Sequence, residues 1–562
     1  MVSSIEFSLF APYNKDATLM GSFNNWQETS MTKGEDGYFR TFVELEDGIY
    51  QYKFRVQSNN SSLSEEWVEI VDPYATEIDP QTCGAVARVK EGKRILDTYV
   101  WQHDDKPLPD NHELIIYELH VADFSGSDAD SEKREVLKRV IDKLDYLKDL
   151  GINAIELMPL NEHPANYNWG YLVSDFFALE CSYGFPEDLK RLVDESHARG
   201  IRVILDGIYN HSAEECPLLK IDRNYWYYST KKEHKKETDY WGPEFNYEFY
   251  DEKLDIRPTW KFIGDVVRFW IQEYHIDGIR FDAVSQLASL DIKKPNFDFI
   301  NWITQEAKKA AGNKPFYNIG ECIPEKPTIV TPNGPMDGAW HESFRMFITE
   351  NICNDVFDSD KLQEVLDPKK QNYATTNKLV NYLANHDRER LLGKLVNVGI
   401  LDANAFKRAK LAAVLLMTAV GVPMIWMGEE FGESQRKTKS TDQPSPIRWN
   451  LLENQLNHDL FEYYKKLITL RTQNPALYSE NISLFHTDPE NKVLAYSRWN
   501  EEGARVVVVA NFSDRDLAQY KVNQFPEHSN WYDWLEGNHV EAKDNQLIVD
   551  LGEHEAKVFV SK

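Results

Sequence analysis

The sequence contains little that would support covalent cross-links or a bound zinc ion. Its five cysteines are odd in number, are scattered along the 562 residues and include no CxxC pair. Such spacing predicts neither a disulfide framework nor a zinc site, and it is compatible with a reducing compartment. We therefore expect free thiols in a cytoplasmic protein.

Long apolar segments are also missing. The longest apolar stretch, residues 411–427, spans 17 residues and is interrupted by Gly421 and Pro423. This pattern is typical of a buried helix followed by a strand and is too short and broken for a membrane-spanning helix. The N-terminal residues MVSSIEFSLFAP lack the basic start and apolar centre of a secretory signal. We predict neither export nor membrane association.

Positive charge is scarce. The chain has 63 lysines and arginines against 91 aspartates and glutamates, a formal net charge of −28. Nucleic acids and anionic membranes require a basic face, so neither is an expected partner. Aromatic residues, by contrast, are plentiful, with 15 tryptophans and 28 tyrosines. Such rings suit a large core, and they also suit stacking on the apolar faces of sugar rings.

The hydrophobic pattern divides the chain into three regions. Residues 1–100 carry short alternating segments separated by turn signals, which predicts an antiparallel β-sandwich. In residues 101–478, apolar strands alternate with amphipathic helices in roughly eight units, which favours a (β/α)8 barrel of the α/β class. We place a short, aromatic insertion at about 212–259. Residues 479–562 return to strand-like segments and predict a C-terminal antiparallel β-domain.

Four of the predicted barrel strands end in clusters of polar residues. These are DGIYNH (206–211), GIRFDAV (278–284), NIGE (318–321) and ANHD (384–387). In a barrel of this type the active site is built at the carboxyl ends of the strands. Four such clusters at equivalent strand ends favour a catalytic site over separate structural contacts.

The residue types in these clusters suit the cleavage of glycosidic bonds. Arg280 and Asp282 lie two residues apart and so face the same side of a strand, where the guanidinium should lower the carboxyl pKa and keep Asp282 ionised as a nucleophile. Glu321 has no adjacent cation, and burial should raise its pKa, as a general acid requires. His211 and His386 show no HxH or HExxH spacing. We therefore predict no metal and no cofactor.

The four clusters resemble, in order and spacing, the four sequence regions of glycoside hydrolase family 13, the α-amylase family. Residues 5–90 resemble a family-48 carbohydrate-binding module through FSLFAP, GSFNNW and GIYQYKF. The resemblance implies a retaining mechanism in which Asp282 is the nucleophile, Glu321 the acid/base and Asp387 the carboxylate that holds sugar hydroxyls. The carboxyls of Asp282 and Glu321 should then lie about 5 to 5.5 Å apart.

The resemblance also assigns residues that bind the sugar in the cleavage subsite or shape the site. The predicted substrate-binding residues are Tyr171, His211, Arg280 and His386. Asp206 and Asn210 match the first region and are expected to be structural. In the N-terminal module, Trp26 and Tyr50 either stack on glucan or belong to the core of a module that braces the barrel.

Within the family, the N-terminal module and the absence of an export signal favour an intracellular storage glucan (glycogen, starch or amylose) as substrate. This predicts a monomeric 1,4-α-glucan branching enzyme. Branching enzymes usually have a serine and a second acid where this chain has Asn385 and Cys322, and ANHD is closer to amylases and trehalose-forming enzymes. A hydrolytic intracellular α-amylase, or a debranching or trehalose-forming hydrolase, therefore stays open as the alternative.

Two hypotheses lie outside this family chemistry. A glucan-binding scaffold without activity predicts the loss of at least one of Asp282, Glu321 and Asp387, and all three are present. An unrelated barrel enzyme such as an aldolase would need a lysine at a strand end for a Schiff base, and none of the four clusters carries one.

Overall fold

The computed structural model describes residues 2–126, 133–164, 169–228, 241–287, 297–354, 356–435, 444–526 and 530–561. Its centre is a closed parallel barrel, flanked by antiparallel β-sheets at both ends of the chain. The predicted fold class is therefore confirmed. Part of the predicted insertion, residues 229–240, lies outside the described residues.

The N-terminal region folds into two antiparallel sheets, with strand orders β1-β5-β4 and β10-β9-β6-β2-β3. Its strands are β1 (Ser3–Phe10), β2 (Ala17–Gly21), β3 (Thr29–Ser30), β4 (Thr32–Lys33), β5 (Tyr38–Leu45), β6 (Gly48–Gln57), β7 (Trp67–Ile70), β8 (Ile78–Asp79), β9 (Gly84–Lys90) and β10 (Lys93–Ile95). Alternate residues of β1 are buried between the sheets, namely Ile5, Phe7 and Leu9. This is the period-two pattern of a strand with one solvent-facing side.

The barrel closes in the order β11-β12-β15-β16-β17-β18-β19-β20. These strands are β11 (Ile116–Leu119), β12 (Ala154–Leu157), β15 (Arg202–Gly207), β16 (Gly278–Phe281), β17 (Tyr317–Gly320), β18 (Gly338–Trp340), β19 (Leu379–Asn381) and β20 (Val422–Trp426). A separate hairpin, β13 (Asn161–Glu162) and β14 (Asp175–Leu179), follows the second barrel strand. Since the barrel strands are buried on both faces, they are almost continuously apolar in sequence.

The helices of the described residues are α1 (Val121–Ser125), α2 (Val136–Ile141), α3 (Leu144–Leu150), α4 (Pro186–Ala198), α5 (Pro217–Trp226), α6 (Pro258–Tyr274), α7 (Phe297–Ala311), α8 (Glu342–Cys353), α9 (Ser359–Leu366), α10 (Leu391–Asn397), α11 (Asp402–Thr418) and α12 (Gln455–Gln473). The longer ones bury one stripe against the barrel. In α6, for example, Phe262, Val266 and Trp270 recur at helical spacing and are buried. No described helix combines the length and apolar character needed to cross a bilayer.

The interior of the barrel changes from apolar to charged toward the carboxyl ends of its strands. Ile116, Ala154 and Ile204 belong to one inner apolar cluster. Two residues further along each strand, on the same face, lie Glu118, Glu156 and Asp206, all buried. The strand alternation therefore places a layer of carboxyl groups directly above the apolar core.

Both flanking regions are fastened to the barrel by specific contacts. The buried Asn14 side chain donates to the carbonyl oxygen of Ile221 in α5 at 2.8 Å, and Tyr13 donates to Asp251 at 2.9 Å. The C-terminal strands are β21 (Ile482–Asp488), β22 (Val493–Trp499), β23 (Arg505–Asn511), β24 (Leu517–Asn523), β25 (Trp531–Asp533), β26 (Asn538–Val540), β27 (Gln546–Leu551) and β28 (Ala556–Ser561). From β22, the buried Arg498 donates to the carbonyl of Thr418 at the end of α11. The N-terminal module thus contacts the segment that follows β15, and the C-terminal region contacts the end of α11.

Candidate active site

The barrel brings the four sequence clusters to one end of the sheet. Beyond the ends of β16 and β17, the backbone N–H groups of Asp282 and Glu321 bind the carbonyls of Gly207 and Phe281 at 3.1 and 3.0 Å. The N–H of Val284 binds the carbonyl of Glu321 at 2.8 Å. These contacts continue the parallel pairing and fix the two acids side by side.

Arg280 is the centre of the site. It is fully buried, and one terminal nitrogen lies 2.6 Å from both carboxyl oxygens of Asp206 and 3.1 Å from Asp282. Its other terminal nitrogen lies 2.7 Å from Glu321, and its guanidinium stacks over Trp340 at 4.1 Å. Glu321 has no cation next to it in sequence, but the neighbouring strand brings Arg280 to it. One arginine therefore pairs with three carboxyl groups.

The pKa of Asp282 differs from the expectation. Burial raises it well above the ordinary value; Arg280 opposes this, but the neighbouring Glu321, which is hydrogen-bonded to Asp282, adds to the rise. The predicted lowering was wrong because burial outweighs the effect of Arg280, which is shared with Asp206 and Glu321. The separation expected for a retaining site stays a prediction.

Tyr171 connects this acid cluster to His386. The tyrosine hydroxyl donates to Asp206 at 2.6 Å and lies 2.8 Å from Nε2 of His386, and the two rings stack at 5.0 Å. Since a tyrosine has one hydroxyl proton, and the carboxylate paired with Arg280 takes it, Nε2 of His386 must be the donor toward the tyrosine oxygen. This fixes which nitrogen of His386 carries a proton.

Glu118 holds the other side of the His386 ring. Its carboxyl lies 2.6 Å from Nδ1 and also accepts from the backbone N–H of His386 at 3.3 Å. Burial and the neighbouring Glu156 raise the pKa of Glu118 well above its ordinary value. Glu118 and Tyr171 therefore hold the His386 ring at both of its nitrogens.

The remaining predicted residues lie at the rim of the same site. His211 places Nε2 2.8 Å from the carbonyl oxygen of Tyr171, and its ring lies 6.0 Å from that of Trp241. The Asp387 carboxyl lies 3.6 Å from Nε2 of His386 and is 52% exposed, which makes it the most accessible of the three predicted acids. All seven predicted site residues thus belong to one connected arrangement.

Sequence reasoning missed Glu118, Glu156 and Trp340. The signal was present for the two glutamates, because IYEL and AIEL each place one acid in an otherwise apolar strand, as GIRF does with Arg280. Burial raises the pKa of Glu156 to about 8 despite Arg280 nearby. One of its carboxyl oxygens has no hydrogen-bond partner among the described residues.

A set of side chains that could bind a metal lies at the β13–β14 hairpin. Within the described ranges, Glu162, Glu180 and Cys181 offer ligand atoms within 4.8 Å of one another. Burial and the neighbouring Glu180 raise the pKa of Glu162 to about 9. A proton on Glu162 therefore reduces the negative charge of this cluster without a metal ion. None of these residues belongs to the predicted site, and the metal independence of the protein stays a prediction.

Three family models match the chain. "Alpha amylase, catalytic domain" covers residues 121–262 and 252–455, "Carbohydrate-binding module 48 (Isoamylase N-terminal domain)" covers 1–75, and "Alpha amylase, C-terminal all-beta domain" covers 485–560. Together they span the barrel and both flanking regions.

Curated relatives and solved structures agree with these matches. The malto-oligosyltrehalose trehalohydrolase of Saccharolobus solfataricus is 28% identical, with 87% of this chain and 90% of the relative covered. The 1,4-alpha-glucan branching enzyme of Synechococcus elongatus is 26% identical, with 93% and 72% covered. A pullulanase of Anoxybacillus sp. LM18-11, solved with maltotetraose, shares the fold at a TM-score of 0.80 and 21% identity, with 100% and 86% covered. The chain belongs to glycoside hydrolase family 13, the α-amylase family, as an α-glucan-active enzyme with an N-terminal family-48 carbohydrate-binding module and a C-terminal all-β domain.

Proposed function

We propose that the protein cleaves α-1,4-glucosidic bonds by a retaining mechanism and transfers the released chain to a 6-hydroxyl, as a 1,4-α-glucan branching enzyme. The observation that carries the cleavage is that Asp282 and Glu321 lie side by side at adjacent strand ends and both contact Arg280. Retaining cleavage needs one acid and one carboxylate, and two neighbouring carboxyl groups can divide these roles.

The first step uses both members of the pair. Glu321 acts as the general acid and delivers a proton to the glycosidic oxygen that enters the cleft. As the bond between C1 and this oxygen breaks, the carboxylate of Asp282 forms a bond to C1. The products of the step are a free chain end with a new hydroxyl and a covalent glycosyl-enzyme. Arg280 lowers the cost of leaving Asp282 charged before attack.

The second step reverses the roles. Glu321, now a carboxylate, takes the proton of an acceptor hydroxyl while the acceptor oxygen attacks C1. The ester bond to Asp282 breaks and its carboxylate is restored. Two displacements at C1 return the α configuration.

The residues around the pair have the chemistry to hold the sugar being cleaved. Tyr171 offers an aromatic face whose position is set by Asp206 and His386. The exposed Asp387 carboxylate can accept from two adjacent sugar hydroxyls, and His211 and His386 line the same subsite. Hydroxyl contacts of this kind strengthen as the ring distorts toward the transition state.

The two departures from the branching pattern are buried. The Asn385 side chain accepts from the backbone N–H of Asp387 at 3.0 Å, a turn contact that a serine hydroxyl also makes. Cys322 is 2% exposed, and its sulfur contacts the carbonyl of Pro324. Since both side chains are packed within the protein, they support neither water nor sugar as the acceptor. The similarity to branching enzymes over more than nine-tenths of the chain supports transfer.

Hydrolysis is the second candidate, supported by the similarity to a trehalohydrolase over most of both chains. The experiment that separates the two incubates the protein with amylose while iodine absorbance and reducing ends are measured together. Transfer predicts falling iodine absorbance without new reducing ends. Hydrolysis predicts a matching rise in reducing ends, and Asp282→Asn provides the inactive control.

A further inference from the structure

Asp387 lies in a tight turn that follows β19. The backbone N–H of Arg388 donates to the carbonyl oxygen of Asn385 at 3.0 Å, so His386 and Asp387 are the two central residues of this turn. The Asp387 carboxyl is 52% exposed. Because so exposed a side chain is not fixed by packing, its direction depends on how the turn is attached to the rest of the barrel.

The turn is attached on both sides of Asp387. On the N-terminal side, the ring of His386 is held at both of its nitrogens. On the C-terminal side, Nε of Arg388 lies 3.2 Å from Oε1 of Glu342, the first residue of α8. Asp387 is therefore the residue between two anchors, and Glu342 provides the second of them.

Glu342 is itself held by two further donors. Its other carboxyl oxygen, Oε2, accepts from the hydroxyl of Tyr382 and from Nε of Arg345, both at 2.8 Å. Burial alone would raise the pKa of Glu342, but the bonds from Arg345 and Tyr382 and the charge of Arg388 keep this pKa below its ordinary value. Glu342 is therefore a carboxylate where it meets Arg388.

Tyr382 extends this contact to the acid cluster. It is buried directly after β19, and its ring lies 5.4 Å from that of Trp340, which stacks on the guanidinium of Arg280. Glu342 thus connects the turn that bears Asp387 with the strand ends that carry the reacting groups.

The ion pair between Arg388 and Glu342 is poorly suited to a purely structural role. The arginine side chain is 40% exposed and the glutamate side chain 14% exposed, and ion pairs near the surface contribute little to folding stability. By contrast, a displacement of about 1 Å in a group that contacts the substrate can lower the rate about a hundredfold. The pair therefore matters more for the place of Asp387 than for the stability of the fold.

We propose that Arg388 and Glu342 are positioning residues for the reaction, because their ion pair fixes the turn that presents Asp387 to the sugar. Neither residue needs to contact the substrate for this role. The inference rests on the role of Asp387 in the proposed function and not on the choice between transfer and hydrolysis.

The test compares Arg388→Ala with the parent in the steady-state release of fluoride from α-maltosyl fluoride. We expect kcat to fall about tenfold with KM nearly unchanged, since the sugar contacts of Asp387 strengthen in the transition state. Arg388→Lys keeps a cation opposite Glu342 and should recover most of the loss. Arg268→Ala is the matched control and should keep the parent kcat, since Arg268 is 33% exposed and its pair with Glu306 joins the outer helices α6 and α7.

The same substitution in the Asp387→Asn variant shows through which group the pair acts. If it acts through Asp387, adding Arg388→Ala to Asp387→Asn lowers kcat no further. The melting temperature should not change, because Arg390 keeps the following segment attached through the carbonyl oxygen of Met427, at 3.0 and 2.7 Å. Full kcat in Arg388→Ala, an equal fall in both backgrounds, or a loss that parallels a large fall in melting temperature would overturn the proposal. Full activity of Asp387→Asn would refute the role of Asp387 in the proposed function as well.

Discussion

Glu118 offers the sharpest test of how the site is organised, because its carboxyl holds His386 from the side away from Tyr171. A hydrogen bond to a charged partner contributes about 1.5–3 kcal/mol, and a neutral one about 0.5–1.5 kcal/mol. Glu118→Gln keeps the shape but replaces the carboxyl group with an amide, a weaker partner for Nδ1 of His386, so it should cost about 1.4 kcal/mol. This corresponds to about a tenfold fall in kcat/KM.

Glu118→Ala removes the partner altogether. Both His386 and Glu118 are buried, so Nδ1 would be left unpaired, and the combined loss should reach about 3 kcal/mol, or roughly a hundredfold in kcat/KM. The loss should fall mainly on kcat, since the hydroxyl contacts that His386 supports strengthen in the transition state.

The assay is the steady-state cleavage of a short, chromogenic malto-oligosaccharide, with the melting temperature measured in parallel. Glu430→Gln is the matched control. Glu430 is equally buried and accepts from Tyr117 and Tyr146, but it is not connected to His386. If Glu118→Ala keeps full activity, or if Glu430→Gln lowers kcat as much, the clamp on His386 has no catalytic role and the reasoning fails.

Three further predictions concern the buried carboxyl layer, the N-terminal module and the acceptor. In the folded protein, the pKa of Glu156 is raised to about 8 from an ordinary value of 4.5. The folded state therefore binds this proton more tightly than the unfolded state, and the unfolding free energy should fall as pH rises between these values, by at most about 1.4 kcal/mol per pH unit. In chemical denaturation, Glu156→Gln should therefore match the parent at pH 4 and exceed it at pH 8; equal curves at both pH values would show that Glu156 is ionised in the fold. Asn14→Ala removes two hydrogen bonds, to the carbonyl oxygens of Gln57 and Ile221. It should lower the unfolding free energy by about 2 kcal/mol and leave kcat unchanged. A large fall in kcat would mean that the module does more than brace the barrel. Asn385→Ser should leave the ratio of transfer to hydrolysis unchanged, measured as iodine loss per reducing end, because both side chains make the same turn contact; a changed ratio would place this residue in the choice of acceptor.

Much of this architecture could be predicted from local patterns. Period-two alternation identified β1, and a repeat of apolar strand and amphipathic helix identified the barrel. The polar clusters at strand ends located the site, because parallel strands all end at one edge of a barrel. These features depend on residues close in sequence, where the pattern is complete within one element.

The missed features depend on contacts between distant strands. Arg280 was expected to keep Asp282 ionised, because the two residues are close in sequence. The structure shows that Asp206 and Glu321, from adjacent strands, also contact it. The sign of the Asp282 pKa shift follows from that sharing together with burial, and neither is visible in GIRFDAV. Glu118 gave a visible signal, but its partner His386 lies 268 residues away.

The central claim is that Asp282 forms a covalent bond to C1 of the sugar. The direct measurement uses Glu321→Gln with an α-maltosyl fluoride, since fluoride leaves without a proton and the missing acid/base slows the second step. Mass spectrometry of the digested protein should find the added sugar on the peptide that contains Asp282. Product of β configuration with no adduct, or an adduct on another residue, would contradict the claim.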